Sequence, residues 1–170
     1  PAVSVGMAIA GKFPWSSVIP YSIAQILGGL VGGIVVWIHY YPHWKETKDK
    51  DAILGTFATE PAIRNYSMNF ISEVVGTAVL IFGLLAFTRG QFTQGLNPIA
   101  VGVLITAIGL SLGGTTGYAI NPARDLGPRL AHAMLPIANK GGSDWAYSWV
   151  PILGPVVGAI LGAICFNLIP

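Results

Sequence analysis

Apolar residues in this chain are grouped into runs of two lengths. A helix that crosses a bilayer needs roughly 20 predominantly apolar residues. Residues 18–40, 68–88, 97–112 and 147–168 form runs close to that length, whereas residues 1–10 and 121–135 form runs about half as long. The pattern therefore predicts an all-α membrane protein with four full spans and two half-spans.

Composition agrees with a multi-pass protein of the cell membrane, with the lipid bilayer as its surroundings. The chain is 53% hydrophobic and only 9% charged, and its mean hydropathy is +0.65. The formal net charge of +2 is too small to indicate a nucleic-acid partner. Half of the charged residues lie between positions 41 and 69, where their signs cancel, so this stretch is predicted to be a solvated loop.

The order of the elements indicates an internal repeat. A Pro-Ala dipeptide, a half-span and a glycine-containing span occur twice, beginning at residue 1 and again at residue 122. The glycines keep the same spacing in both spans, Gly28 and Gly32 in the first and Gly158 and Gly162 in the second. Two full spans precede the second half-span and one follows it, so this unit has three full spans. If the first unit also has three, an odd number, the two units have opposite orientations in the membrane and form inverted repeats.

This repeat suggests how the chain is organised. The chain is predicted to be a single domain, 1–170. Residues 1–42 are predicted to be the end of a first repeat, residues 43–66 the loop that connects the two repeats, and residues 67–170 the second repeat. By analogy with the second repeat, we expect two further spans to precede residue 1.

Candidate chemistry is concentrated in residues 113–129, which read GGTTGYAINPARDLGPR between two apolar runs. Asn121 is a preferred N-cap residue, Pro122 suits the first helical position, and Asp125 places negative charge near the positive end of the helix. Irregular backbone at membrane depth is tolerated only where it is buried in protein or lines a water-filled cavity. The loop therefore predicts a pore with a half-helix beginning at its middle.

These residues resemble the aquaporin or major intrinsic protein family, in which two Asn-Pro-Ala boxes on half-helices meet at the pore centre. The second box is present as Asn121, Pro122 and Ala123, and the first is represented by Pro1 and Ala2. Further positions resemble the glycerol-facilitator branch, namely Gly109, Asp125 after the arginine, and the pair Pro151 and Ile152.

The resemblance implies a passive channel that conducts glycerol, related small neutral polyols and water and excludes ions and protons. It places a selectivity filter at Arg124, Tyr118 and Gly109, and an acceptor ladder along the pore at the backbone carbonyls of Gly117, Tyr118, Ala119 and Ile120. It also implies a homotetramer. Tyr118 departs from the phenylalanine usual in the branch, so its hydroxyl narrows the expected filter or makes it more polar.

Glu73 and Asp125 are expected to support this site. Glu73 is the one charged residue within residues 68–88, and we expect its oxygens to accept N–H groups of the re-entrant loop. For Asp125, anchoring of a loop and contact with substrate both remain open.

Other functions are weighed against the channel. A water-selective aquaporin is the alternative within the family, while a coupled secondary transporter and a non-transporting structural member are the alternatives outside this function. The sequence brings together no nucleophile, base and orienting group, so no enzyme is predicted. The histidines show no metal-ligand spacing, and no metal or other cofactor is expected.

Overall fold

The computed structural model describes residues 1–93 and 95–169; position 94 and the last position of the predicted domain, 170, lie outside them. The described residues form eight helices and no strand. In chain order these are α1 Ala2–Ile9, α2 Trp15–His39, α3 His43–Glu46, α4 Lys50–Gly55, α5 Tyr66–Phe87, α6 Leu96–Leu112, α7 Pro122–Met134 and α8 Trp149–Asn167. The prediction of an all-α membrane fold is confirmed.

Three of these helices, α2, α5 and α8, are long and apolar enough to cross a membrane. Helix α6, predicted as a fourth span, has 17 residues, which corresponds to about 26 Å at 1.5 Å per residue. It is therefore slightly shorter than the other three. Helices α1 and α7 are the two predicted half-spans, with 8 and 13 residues.

The helices pack closely where they carry glycines. Helix α2 packs against α7, and α8 packs against α5 and α1. A Cβ added at Gly127 of α7 would lie 2.6 Å from the carbonyl oxygen of Ile26, and one added at Gly162 of α8 would lie 2.6 Å from that of Ala78. Both helix pairs therefore bring their backbones into direct contact, which the glycines permit.

The glycines of α2 divide into two groups. An added Cβ at Gly29 or Gly33 would collide with α7, whereas one at Gly28 or Gly32 meets nothing within 4 Å. The contact with α7 therefore uses Gly29 and Gly33. The other pair, which has the spacing shared with the last span, does not take part in it.

The segment after α2, expected to be a solvated loop, is partly helical and partly buried. This segment contains the short helices α3 and α4, and Asp49 caps α4 by accepting hydrogen bonds from the N–H groups of Asp51 and Ala52. Trp44 and Phe57 are buried in one apolar cluster with residues that include Ala131 of α7. The segment folds back because these apolar side chains, scattered among charged ones, bury themselves against α7.

Candidate functional site

The loop between α6 and α7, residues 113–121, is held by hydrogen bonds to the carboxylate of Glu73. Its Oε1 accepts hydrogen bonds from the Thr116 hydroxyl at 2.7 Å and the Ala119 N–H at 2.9 Å, and its Oε2 accepts one from the Ile120 N–H at 2.8 Å. Glu73 is 1% exposed in the middle of α5. A buried carboxylate with three donors replaces the helical hydrogen bonds that this irregular backbone lacks.

Asn121 ends the loop and begins α7. It is the N-cap residue, its Oδ1 accepts a hydrogen bond from the Ala123 N–H at 3.0 Å, and Pro122 follows at the first helical position. The side-chain amide nitrogen of Asn121 donates to no other group among residues 1–93 and 95–169. The cap thus fixes the side chain by its oxygen and leaves its two N–H donors available.

The backbone before Asn121 has an unusual conformation. Gly117, Tyr118 and Ile120 have φ values of 72°, 40° and 42°, a region that non-glycine residues seldom adopt. Within the described part of the chain, the carbonyl oxygens of residues 117–120 accept no hydrogen bond. The carbonyls predicted as pore acceptors are therefore unpaired, and Glu73 holds the strained segment that carries them.

The ring of Tyr118 lies directly on α6. A Cβ added at Gly109 would be 2.9 Å from Tyr118 Cζ and 3.2 Å from its hydroxyl oxygen, and one added at Gly113 would be 2.6 Å from Cδ1. Because Gly109 has no side chain, the Tyr118 ring occupies the space beside it.

Arg124 lies on the exposed side of the first turn of α7. Its Nη1 donates a hydrogen bond to the carbonyl oxygen of Phe57 at 3.2 Å. A cavity of about 410 Å³ opens beside it, lined on the other sides by residues that include Asp51, Glu60 and Gly117. The guanidinium is therefore positioned by a backbone carbonyl of the segment between α4 and α5, and it faces an open chamber.

Asp125 and Arg129 form a completely buried ion pair on α7, each with a side-chain exposure of 0%. Arg129 Nε donates to Asp125 Oδ1 at 2.7 Å, and Asp125 Oδ2 accepts hydrogen bonds from the N–H and the hydroxyl of Thr59 at 2.9 and 2.7 Å. Arg129 also donates to the carbonyl oxygens of Thr59, Ser143 and Asp144. The pair therefore ties two loops to α7, and its burial leaves no surface for substrate contact.

Pro1 and Ala2 begin the other half-helix, α1. Pro1 is the N-cap residue, and Ala2 is 1% exposed in an apolar cluster with α5 and α8. Val3 packs against the neighbouring cluster of Leu80, Ile108 and Ile120. The start of α1 and the end of the loop 113–121 therefore contact the same apolar cluster.

Two contributors to this site were missed from the sequence. Phe57 and Thr59 hold Arg124 and Asp125, but they do so mainly through backbone groups across 66 to 67 positions of the chain. Any residue type offers a carbonyl, so the sequence pattern carries no signal for the Phe57 contact.

Comparison with known proteins gives one family. Residues 1–166 match the family model described as Major intrinsic protein. Glycerol uptake facilitator protein 3 of Lactiplantibacillus plantarum is 77% identical over 170 residues, which is all of this chain and 71% of that relative. The glycerol uptake facilitator protein of Bacillus subtilis is 54% identical over 167 residues, which is 98% of this chain and 61% of that relative.

A solved structure has the same fold. The X-ray structure of the aquaglyceroporin from Plasmodium falciparum matches with a TM-score of 0.86 at 29% identity, over 99% of this chain and 70% of that one.

Proposed function

This chain belongs to the major intrinsic protein family, and from that membership we propose that it is a passive channel conducting glycerol, related small neutral polyols and water. It is an integral membrane protein with three helices of spanning length among the described residues. The names of its relatives, two of them glycerol uptake facilitators, support glycerol as a solute.

One observation carries the proposal: the loop 113–121 presents both kinds of hydrogen-bonding group that a polyol needs. Four consecutive unpaired carbonyls accept, and the free amide of Asn121 donates. A hydroxyl group that leaves water without replacement hydrogen bonds costs a few kcal/mol. A ladder of fixed acceptors and donors therefore allows a solute with several hydroxyl groups to leave water.

The filter is proposed to consist of Gly109, Tyr118 and Arg124. The Tyr118 ring stacked on Gly109 supplies an apolar wall for the carbon side of a polyol, and the Arg124 guanidinium supplies donors for its hydroxyl side. Arg124 and the positive N-terminal end of α7 disfavour cations, including protons, at the same place.

Pro1 and Ala2 are proposed to complete the centre of the pore from the opposite half-helix, since α1 begins beside the cluster that contains Ile120. Glu73 and Asp125 are proposed as supports that do not contact solute. We further propose a homotetramer in which each subunit has its own pore, as the family resemblance implies. The function is transport without a chemical reaction, and it involves neither a cofactor nor a nucleic acid.

The experiment that tests the filter compares glycerol and water permeability in proteoliposomes of the wild type and of Gly109→Ala. The added methyl group has no room beside Tyr118, so the ring is displaced away from α6 into the proposed passage. We expect glycerol permeability to fall by about tenfold, the effect of about 1.4 kcal/mol, while water continues to pass. A double variant, Gly109→Ala with Tyr118→Leu, should recover glycerol permeability because the obstructing ring is gone.

Gly142→Ala serves as the matched control, because an added Cβ there meets nothing within 4 Å. A wild-type protein that passes water but no glycerol would contradict the polyol filter and favour a water-selective channel. Glycerol uptake that saturates at low concentration and requires an ion gradient would contradict the passive channel altogether.

A further inference from the structure

The segment between α4 and α5 forms a cover over the loop 113–121; we call residues 57–62 the cover segment. Its Ala62 N–H donates to the carbonyl oxygen of Thr115 at 3.1 Å. A Cβ added at Gly117 would lie 3.5 Å from Thr59 Cγ2 and 3.9 Å from the carbonyl oxygen of Glu60. Together with the bonds of Phe57 to Arg124 and of Thr59 to Asp125, these contacts attach the cover directly to the candidate site.

Glu60 differs from the other polar groups of the cover segment, because its carboxyl group has no such attachment. Its Oε1 is enclosed by protein and has no hydrogen-bond partner among the described residues. The residue lines the same cavity of about 410 Å³ as Arg124 and Asp51. An enclosed carboxylate oxygen without a donor is costly when it is charged.

The charged groups around Glu60 do not provide it with a counter-ion. Asp51 on α4 and Asp144 beyond α7 have the same sign as Glu60. Arg129 is bound to Asp125, and Arg64 is bound to Asp144 by two hydrogen bonds of 2.9 and 2.5 Å. Both nearby arginines are thus already paired with other carboxylates.

Burial, followed by repulsion from Asp51 and Asp144, raises the pKa of Glu60 above its ordinary value, against a smaller opposing effect of Arg129 and Arg64. Exposed glutamates ionise near pH 4.3. Glu60 therefore changes charge closer to neutral pH than an exposed glutamate would.

Arg124 is the positively charged side chain that lines the same cavity as Glu60. Its Nη1 donates a hydrogen bond to a neutral carbonyl group, that of Phe57. A carboxylate attracts a guanidinium through its opposite charge, which a neutral carbonyl group lacks. An ionised Glu60 carboxylate that turned toward Arg124 would therefore compete with the Phe57 carbonyl for the guanidinium.

Building on the channel function proposed above, we propose that Glu60 controls, through its protonation state, passage through the cavity beside Arg124. When it is protonated, its side chain stays enclosed and Arg124 stays on the Phe57 carbonyl. When it is ionised, its carboxylate turns toward Arg124 across the cavity that both residues line and pairs with it. The paired side chains then lie across the cavity, and the N–H donors of Arg124 are no longer available to a solute. This obstructs a polyol more than a water molecule.

The test measures glycerol and water permeability of the full-length protein in proteoliposomes from about pH 4 to about pH 8, a range that brackets carboxyl and histidine titration. Wild-type glycerol permeability should fall about fivefold as the pH rises, the lower end of typical coupling between linked sites, and water permeability should change less. Glu60→Gln cannot ionise and should keep the high glycerol permeability at every pH. Asp51→Asn removes a repelling charge, so it should keep the pH response but move its midpoint to lower pH.

The outcomes separate this inference from the channel function. A wild type that conducts glycerol equally at all pH values, or a Glu60→Gln variant with the wild-type pH response, would overturn the control by Glu60 and leave the channel standing. An Asp51→Asn midpoint that stayed in place would also contradict it, because the neighbouring charge acts on Glu60 alone in this scheme. Absence of both glycerol and water permeability in the wild type at every pH would overturn the channel function, and this inference with it.

Discussion

At the scale of single residues, Glu73 combines a position inside a spanning helix with three hydrogen bonds to one loop. Its two oxygens accept from Thr116, Ala119 and Ile120. An intramembrane carboxylate is also what a proton-coupled transporter uses. The hydrogen bonds favour the structural role, since both oxygens are already occupied by donors from the loop.

Replacing Glu73 by glutamine distinguishes these roles. The glutamine oxygen can accept from two of the three donors, but its amide N–H₂ then faces the Ile120 N–H, so one buried donor loses its partner. This costs about 1–3 kcal/mol or more, and we expect a lower unfolding temperature in detergent together with a parallel loss of glycerol and water permeability. Glu46→Gln, on the exposed surface of α3, is the control. Transport that disappears while the unfolding temperature stays at the wild-type value would indicate proton coupling instead.

The residues of the site differ in how far the sequence could predict them. Asn121 was predictable as the N-cap of α7 because its side chain acts on the residue two positions later. The position of the Tyr118 ring on Gly109 was not, because it depends on the left-handed backbone at residues 117, 118 and 120. That conformation is imposed by Glu73, which lies 43 to 47 positions away from its partners.

At the scale of elements, the buried pair of Asp125 and Arg129 joins α7 to the loops on either side of it. Both side chains have an exposure of 0%. A second ion pair, Arg64 with Asp144, joins two of the same loops on the surface, where the side-chain exposures are 41% and 19%. The two pairs therefore offer a matched comparison between a buried and an exposed contact.

Asp125→Asn should be much more harmful than Asp144→Asn. The first change leaves the Arg129 charge buried without a counter-ion, which costs about 3–5 kcal/mol. The second removes an exposed pair, which is worth at most about 1 kcal/mol. Denaturant unfolding in detergent micelles measures both values, and equal losses for the two variants would contradict a structural role for the buried pair.

The elements themselves were largely predictable. The apolar runs 18–40, 68–88 and 147–168 correspond to α2, α5 and α8 with ends that differ by one to three residues. Helices α3 and α4 were not predicted, because they are only 4 and 6 residues long and lie in a stretch with many charged residues. What folds them is the burial of Trp44, Ile53 and Phe57 against α7, a tertiary contact that no local pattern records.

At the scale of the whole molecule, the position of the site depends on two contacts between helix backbones, α2 with α7 and α5 with α8. Glycines make both contacts possible: Gly29 and Gly127 in the first, Gly158 and Gly162 in the second. Helix α7 carries Asn121 and Arg124, so its distance from α2 sets where these residues lie. The sequence alone does not show which helices these glycines join, because an i,i+4 spacing identifies a helix face suited to close packing but not the helix that packs against it.

Gly127→Ala tests whether this backbone contact positions the site. The added Cβ would lie 2.6 Å from the Ile26 carbonyl oxygen and 2.8 Å from the Gly29 Cα, and these are backbone atoms that cannot rotate away. Overpacking of this kind costs about 1–3 kcal/mol, so we expect a lower unfolding temperature and a joint loss of glycerol and water permeability as α7 is pushed outward. Gly55→Ala in α4, where an added Cβ meets nothing within 4 Å, should unfold like the wild type. If Gly127→Ala behaved like this control, the close approach of α2 and α7 would not be what places Asn121 and Arg124.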